Sequence, residues 1–561
     1  MSGARRWIGF MGICGPAVLF GAVVAVSFLY PLTRFMMLPL MPDWAPLPGL
    51  GAASGLGLSS GALWNTVRLS TEAGLLVIPP GLLAGFLLER RRWRGAGLLS
   101  AVLWGIFLMP SYLLTMGWQI VVAAPFLADG AAGRLLYGEA GIVALLTLKG
   151  LAFSSVAARA GWHAVGADMD AASRVHVPAA WRRAWLTLRL LLPVSGSIFT
   201  IQVVAASQDF GIAATLGAQA HMPLVIYAIY QDLSTVPLDF TRAARLSWVL
   251  VLLALAALVV QAVLARRSVM AGGGHRHRPG VAPCGRGMTV LAWSLTVGIL
   301  LAGGGVPLLA LAAQAMGDTG TGDALLIDGE GWRGIGLSLR YAFVSAVFAV
   351  MLAALILGGR MRAGGSGRVV ARMLLWLTSA NMAVPGVILG AAYVIAFNGR
   401  VLSLYGTPAL LILAYTASHL PIAIRFLDAP FAHLHRGLGE AARVHGVSLV
   451  RRVERIYLPL LLRRLTWAWG MVFVTLFFEL PLSEILYPAG SAPLGVKLLS
   501  LDDTLHYGAE ARLALVAMGI CLAVTAAAII LVPRLVVGSG PERMGGAGNA
   551  RTAPSLEQEN A

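Results

Sequence analysis

The sequence predicts an all-α polytopic membrane protein of about twelve transmembrane helices, arranged as two parallel six-helix repeats, and three observations carry the prediction. The chain of 561 residues is 58% hydrophobic and only 12% charged, where soluble domains average about 25% charged. Apolar stretches of roughly 20 residues, enough for a helix to cross a hydrocarbon core of about 30 Å, recur along its whole length. The same local landmarks also return at a nearly constant separation in the two halves.

Apolar windows place the first six spans at 7–31, 62–88, 97–125, 140–161, 190–215 and 244–265. The first follows Arg5 and Arg6; it is longer than the roughly 7–15-residue apolar region of a signal peptide, so a retained helix is expected. The second opens on Asn65, Thr66, Val67 and Arg68, and Arg68 with Glu72 forms an i, i+4 pair on one helix face. Pro110 interrupts the third. The fourth carries Lys149, expected to pair with an acid or to snorkel outward, and Asp170, Ala171 and Ala172 follow it.

The remaining spans fall at 288–314, 335–358, 373–397, 408–428, 465–488 and 511–535. Leu337, Ser338, Leu339 and Arg340 open the eighth, Pro385 interrupts the ninth, and Glu440, Ala441 and Ala442 follow the tenth. The offsets from the first half are 272, 275 and 270 residues, which indicates an internal repeat. Six spans per half is an even number, so the halves share one orientation, as in transporters with parallel repeats. The first repeat is expected over 1–265 and the second over 288–538. The glycines, prolines and arginines of 266–287 predict a solvated cytoplasmic linker, and 539–561 a disordered cytoplasmic tail. His275 and His277 in the linker have no partner ligands, and Cys14, Cys284 and Cys521 are too scattered for a disulfide framework or a metal site. No metal and no cofactor is expected.

The 42 Lys and Arg against 25 Asp and Glu give a formal charge of +17, which in a soluble protein would suggest nucleic acid. Placement argues otherwise. With the N-terminus inside, 31 of the 42 fall in cytoplasmic segments and nine outside, a positive-inside bias that puts both termini in the cytoplasm. The charge then faces an anionic leaflet of the lipid bilayer or a cytoplasmic partner, and no nucleic acid is expected.

The most informative stretch is the cytoplasmic loop 437–464, with the run GEAARVHGVSLVRRVERIYLPLLLRR at 439–464. Its residues predict a short helix of small side chains, a glycine able to adopt positive φ and reverse the chain, and a second amphipathic helix ended by Pro459. Ala441 and Ala442 leave room for a partner's surface, and Glu440 near the helix start suits the positive end of the macrodipole. The spacing of Glu440, Ala441, Ala442, Gly446, Ile456, Leu458 and Pro459 resembles the EAA loop of binding-protein-dependent ABC importer permeases. The resemblance implies a coupling helix seated in the cleft of a separate ATP-binding subunit. The first-half copy, within 166–193, departs from the pattern: Asp170 replaces the glutamate before Ala171 and Ala172, His176 takes the glycine position, and Pro193 lies four residues late. Pro178 is expected to supply the bend there. The chain's only lysines, Lys149 and Lys497, do not stand in a GxxxxGK[ST] loop, so ATP hydrolysis is expected on another polypeptide and the chain is not expected to be an enzyme; the resemblance implies two such ATP-binding subunits.

Ionisable groups inside spans are costly and mark pathways by default. Asp209 and Glu479 lie in equivalent spans, each 39 residues past the acid of its loop, and Glu484 lies five residues beyond Glu479. All three are expected to line the pathway; the alternative is a structural carboxylate hydrogen-bonded to a neighbouring helix. Pro110 and Pro385 are expected as hinges or as packed kinks. The fused two-times-six layout is similar to the ferric-iron and thiamine class of importer, and residues 479–490, ELPLSEILYPAG, resemble the ferric-iron type. The resemblance implies a multi-pass permease of a bacterial inner membrane, fed by a periplasmic solute-binding protein, with iron(III) favoured and thiamine, a polyamine or a phosphonate as alternatives. A secondary transporter driven by an ion gradient is the rival from another class, and it would need no ATP-binding partner.

Overall fold

In lipid, every backbone N–H and C=O must be satisfied within the protein, and a long apolar segment achieves this as a helix. The computed structural model describes residues 21, 24–40, 56–124, 130–165, 172–173, 175–177, 179–269, 281–317, 327–362, 365–399, 403–434, 436–504 and 506–537. The first half holds α1 (Ala25–Leu40), α2 (Gly61–Arg90), α3 (Ala96–Leu108), α4 (Ser111–Val122), α5 (Glu139–Ala164), α6 (Ala180–Ser207), α7 (Phe210–Ile212), α8 (Val225–Ser234) and α9 (Phe240–Val269). The second holds α10 (Arg286–Gly317), α11 (Gly329–Arg362), α12 (Gly365–Asn381), α13 (Gly386–Phe397), α14 (Pro408–Ala432), α15 (Arg436–Val444), α16 (Val450–Phe477), α17 (Pro481–Leu486), α18 (Leu494–Asp503) and α19 (Tyr507–Val537). This is an all-α polytopic membrane protein.

Among the described residues, nine helices are long and apolar enough to cross a membrane, or ten if α3 and α4 count as one broken span. The expected number was twelve. The shortfall has local causes. Pro110 and Pro385 each hold an extended ψ, near 140° and 149°, and split the third and ninth expected spans, the former with a 99° bend. Most of 7–31 lies outside the described residues, as do Arg5, Arg6, Cys14, Asp170, Ala171, Pro178, His275, His277 and the tail 539–561.

Packing follows one scheme in both halves. Helix α6 lies against α2, α5 and α9, and α16 lies against α11, α14 and α19. Likewise α2 packs on α5 as α11 packs on α14, and α8 rests on α2 and α9 as α18 rests on α11 and α19. Two hydrogen bonds repeat with the scheme: Val225 N–H donates to Thr66 Oγ1 at 2.9 Å, and Leu494 N–H to Ser338 Oγ at 2.8 Å. The halves are joined by exchanged helices, because α10 packs on α4 and α1 packs on α13. At the first junction Gly117 lets the backbones approach, since a Cβ there would stand 2.6 Å from Pro307, and Trp118 Nε1 donates to Ala302 O at 3.0 Å. At the second, the Tyr393 hydroxyl donates to Ser27 O.

The far end of the expected linker is ordered. β2 (Ala282–Pro283) pairs in parallel with β1 (Arg91–Arg92), and Trp93 meets Trp293 edge-on at 5.6 Å. The outward faces of α9 and α19 expose apolar side chains such as Val259, Val263, Leu522 and Leu531, the surface a lipid environment accommodates.

Candidate functional site

The loop with the EAA spacing is built by a helix stop. α15 ends in a Schellman arrangement: Gly446 has φ +70°, its N–H donates to Arg443 O at 3.0 Å, and Val447 N–H donates to Ala442 O at 2.9 Å. Both bonds satisfy carbonyls that the helix end would leave open. A left-handed residue costs a side chain roughly 1–2 kcal/mol, so glycine fits here for a stated reason. The chain reverses into α16, and Arg452 Nη1 donates back to Gly439 O at 3.4 Å. Leu438, Ala441 and Val444 are exposed on one face of α15, with Val450 and Val453 exposed beyond the turn. An apolar ridge is thereby presented at the tip of a basic loop.

Three details differ from expectation. Ala442 is buried at 8% exposure and packs inward, leaving Ala441 to face out. Glu440 is the fifth residue of a nine-residue helix, too far along to count as a helix-start charge. Pro459 does not end the second helix: α16 continues to Phe477, because a π turn at Val453–Tyr457 precedes the proline and absorbs its missing N–H. Ile456 and Leu458 are half-buried and Pro459 is exposed. In the first half Ala172 and His176 are exposed. The only non-glycine residue with positive φ among those described is His221, so His176 does not make the turn that Gly446 makes.

The candidate pathway residues sit at helix breaks. α6 stops at Ser207, and Asp209 Oδ1 accepts the N–H of Ile212 at 3.0 Å, capping α7. α16 stops at Phe477, and Glu479 Oε1 accepts the N–H of Leu482 at 3.3 Å, in the first turn of α17. The two carboxylates thus perform the same backbone task, three residues ahead, in equivalent places. Each capped turn leans on the helix after a proline break, α7 on α4 and α17 on α13. Lys149 neither pairs with an acid nor snorkels: its Nζ donates to Ile106 O at 3.1 Å and to Met109 O, carbonyls that Pro110 leaves without helical donors. At the other break Asn381 Nδ2 donates to Ala417 O at 2.6 Å, and Gln208 Nε2 reaches across the halves to Ala383 O at 3.1 Å. Arg68 and Glu72 do pair, at 3.1 Å, and Arg68 also meets Glu139 at 2.5 Å.

Glu484 is half-buried and accepts from the Tyr230 hydroxyl at 3.3 Å, joining α17 to α8 of the other half. Near α8 a cavity of about 270 Å³ is lined by Pro223, Gln231, Asp232 and Arg242. Burial pushes the Asp232 carboxyl up to about 6, with Arg242 at 3.4 Å pulling the other way. Sequence reasoning missed Tyr112, Tyr230, Asn381 and Glu510 as polar groups at the junction of the halves. Glu510 stood just outside an expected span, and an uncharged tyrosine gives no signal by cost. Among the described residues, no three His, Cys, Asp or Glu side chains converge as metal ligands.

The chain's homologues are ABC transporter permeases. A probable ABC transporter permease protein of Sinorhizobium fredii is 30% identical over 168 residues, 28% of this chain and 29% of the relative. The ferric transport system permease protein FbpB of Actinobacillus pleuropneumoniae is 26% identical over 366 residues, 62% of this chain and 51% of the relative. A putative ferric transport system permease protein FbpB 1 of Haemophilus influenzae is 28% identical over 289 residues, 48% and 44%. The chain thus spans about half or less of the length of these relatives. No protein-family profile matches it, and neither does any solved structure.

Proposed function

We propose that this homologue of ABC transporter permeases is the fused, two-repeat permease of an ATP-driven importer, and that its solute is iron(III). The observation that carries the proposal is the loop after α14. A Schellman glycine holds α15 so that Leu438, Ala441 and Val444 form an exposed apolar ridge among arginines, a shape that suits a groove on a cytoplasmic partner. Two ATP-binding subunits, one at each loop, would supply the hydrolysis. The ferric assignment is supported by the names of two relatives and by phenol and carboxylate oxygens at the junction of the halves, which are hard donors.

Transport then proceeds by alternating access. A periplasmic solute-binding protein delivers the solute at the outer mouth of an inner-membrane, multi-pass chain with both termini in the cytoplasm. Closure of the ATP-binding subunits draws the two loops together. That movement reaches the membrane through α16 and α6, whose far ends carry the capped breaks at Glu479 and Asp209. The turns lean on α13 and α4, so a shift there moves the helices after Pro385 and Pro110 and opens the path. No bond of the solute is broken.

The test is an affinity pull-down of the tagged chain from its host membranes, comparing wild type with Glu440→Lys. A Walker-motif ATPase recovered with wild type and depleted in the variant is the expected result. No such ATPase with either protein, both shown to be folded, would refute the proposal and favour a secondary transporter.

A further inference from the structure

Where α4 of the first half meets α18 and α19 of the second, Tyr112, Asp502 and Glu510 line one small void. Tyr112 stands two residues past Pro110, is 7% exposed, and its hydroxyl has no protein partner. Glu510, in the first turn of α19, is 3% exposed, and its Oε2 is likewise without a partner. With the half-buried Asp502 they line a cavity of about 10 Å³, closed by Met116, Thr215, Leu480 and Leu499. That is about the space of one water-sized sphere. The charges that act on Asp502 and Glu510 are acidic, Asp503 among them, and no described Lys, Arg or His forms an ion pair with either.

Buried polar atoms are nearly always partnered, by protein, water or ion. Two carboxylates lining one void repel each other, and a water would satisfy the oxygens while leaving a proton or a cation to offset the charge. A small multivalent cation does both. The Tyr230 hydroxyl donates to Glu484 between the same halves, so hard oxygens recur along this junction. We propose that Tyr112, Asp502 and Glu510 form a single-ion site for a hard trivalent cation, a waystation on the side that the arginine distribution assigns to the periplasm. The inference rests on the ferric reading above and adds to it a stopping point with named ligands.

The test uses the full chain in lipid nanodiscs, without ATP-binding subunits, titrated with iron(III) nitrilotriacetate. Phenolate bound to iron(III) gives a visible charge-transfer band, which carboxylates and water do not. Wild type is expected to take up one iron per chain with that band. Tyr112→Phe is expected to abolish the band. Glu510→Gln is expected to weaken binding at least about tenfold, since even outer-shell changes at metal sites cost about 10–100-fold. Gallium(III) should compete, and calcium should not. A wild type without the band, or a Tyr112→Phe protein that keeps it, overturns the site. Iron uptake by cells alongside a blank titration removes this inference and leaves the ferric permease standing; loss of both takes down the two together.

Discussion

Asp209 and Glu479 put two readings of one residue in competition. As pathway charges they would act on the solute; as caps they satisfy Ile212 N–H and Leu482 N–H. The amides separate these roles, because Asn and Gln keep an accepting oxygen and lose the charge. Asp209→Ala is expected to destabilise the protein by about 0.5–2 kcal/mol, the usual cost of a lost N-cap. Asp209→Asn and Glu479→Gln are expected to melt with wild type in a thermal-shift assay and yet to lose most uptake. Uptake retained in both amides would leave the carboxylates as caps alone. Lys149 shows the same economy: its ammonium is spent on two carbonyls beside Pro110, so its charge is largely occupied by the helix break.

At the scale of elements, the turn after α15 decides how the apolar ridge is aimed. Gly446→Ala forces a side chain into the left-handed region, at roughly 1–2 kcal/mol, whereas asparagine tolerates that region better. Gly446→Ala is therefore expected to reduce recovery of the ATP-binding subunit in the pull-down, and Gly446→Asn to restore part of it, with the membrane domain's melting temperature little changed in either. Equal recovery for both variants would show that the φ of this residue is not what aims the loop. The turn was legible in the sequence because a helix stop is local: small residues, then glycine, at fixed spacing. The continuation of α16 through Pro459 was not, since it depends on a π turn that no periodicity announces. Pro110 and Pro385 were legible as interruptions, but the 99° bend after α3 follows from what α4 packs against, chiefly α10 and α7. The capping contacts of Asp209 and Glu479 were not legible for a similar reason: apolar windows run through a break as easily as through a helix.

For the whole molecule, hydropathy and offsets pointed to a helical membrane chain with a repeated layout, but not to which helices are partners, because pairing depends on which faces meet across hundreds of residues. The exchange of α1 onto α13 and α10 onto α4 is the part that periodicity could not supply. It also predicts that the connecting segment is dispensable once the chain has assembled. Each half holds the other through a helix of its own packed against a proline-broken helix of its neighbour, with Trp118 to Ala302 and Tyr393 to Ser27 as bonds across the seam. A protease site inserted between residues 270 and 280 and cut after membrane insertion should therefore leave the fragments together. They are expected to co-elute in mild detergent and to melt as one unit, and a Gly117→Leu change, which would drive a side chain into Pro307, should loosen that association. Fragments that separate on cutting, with Gly117 intact, would mean that the covalent link rather than the exchanged helices holds the two halves in register.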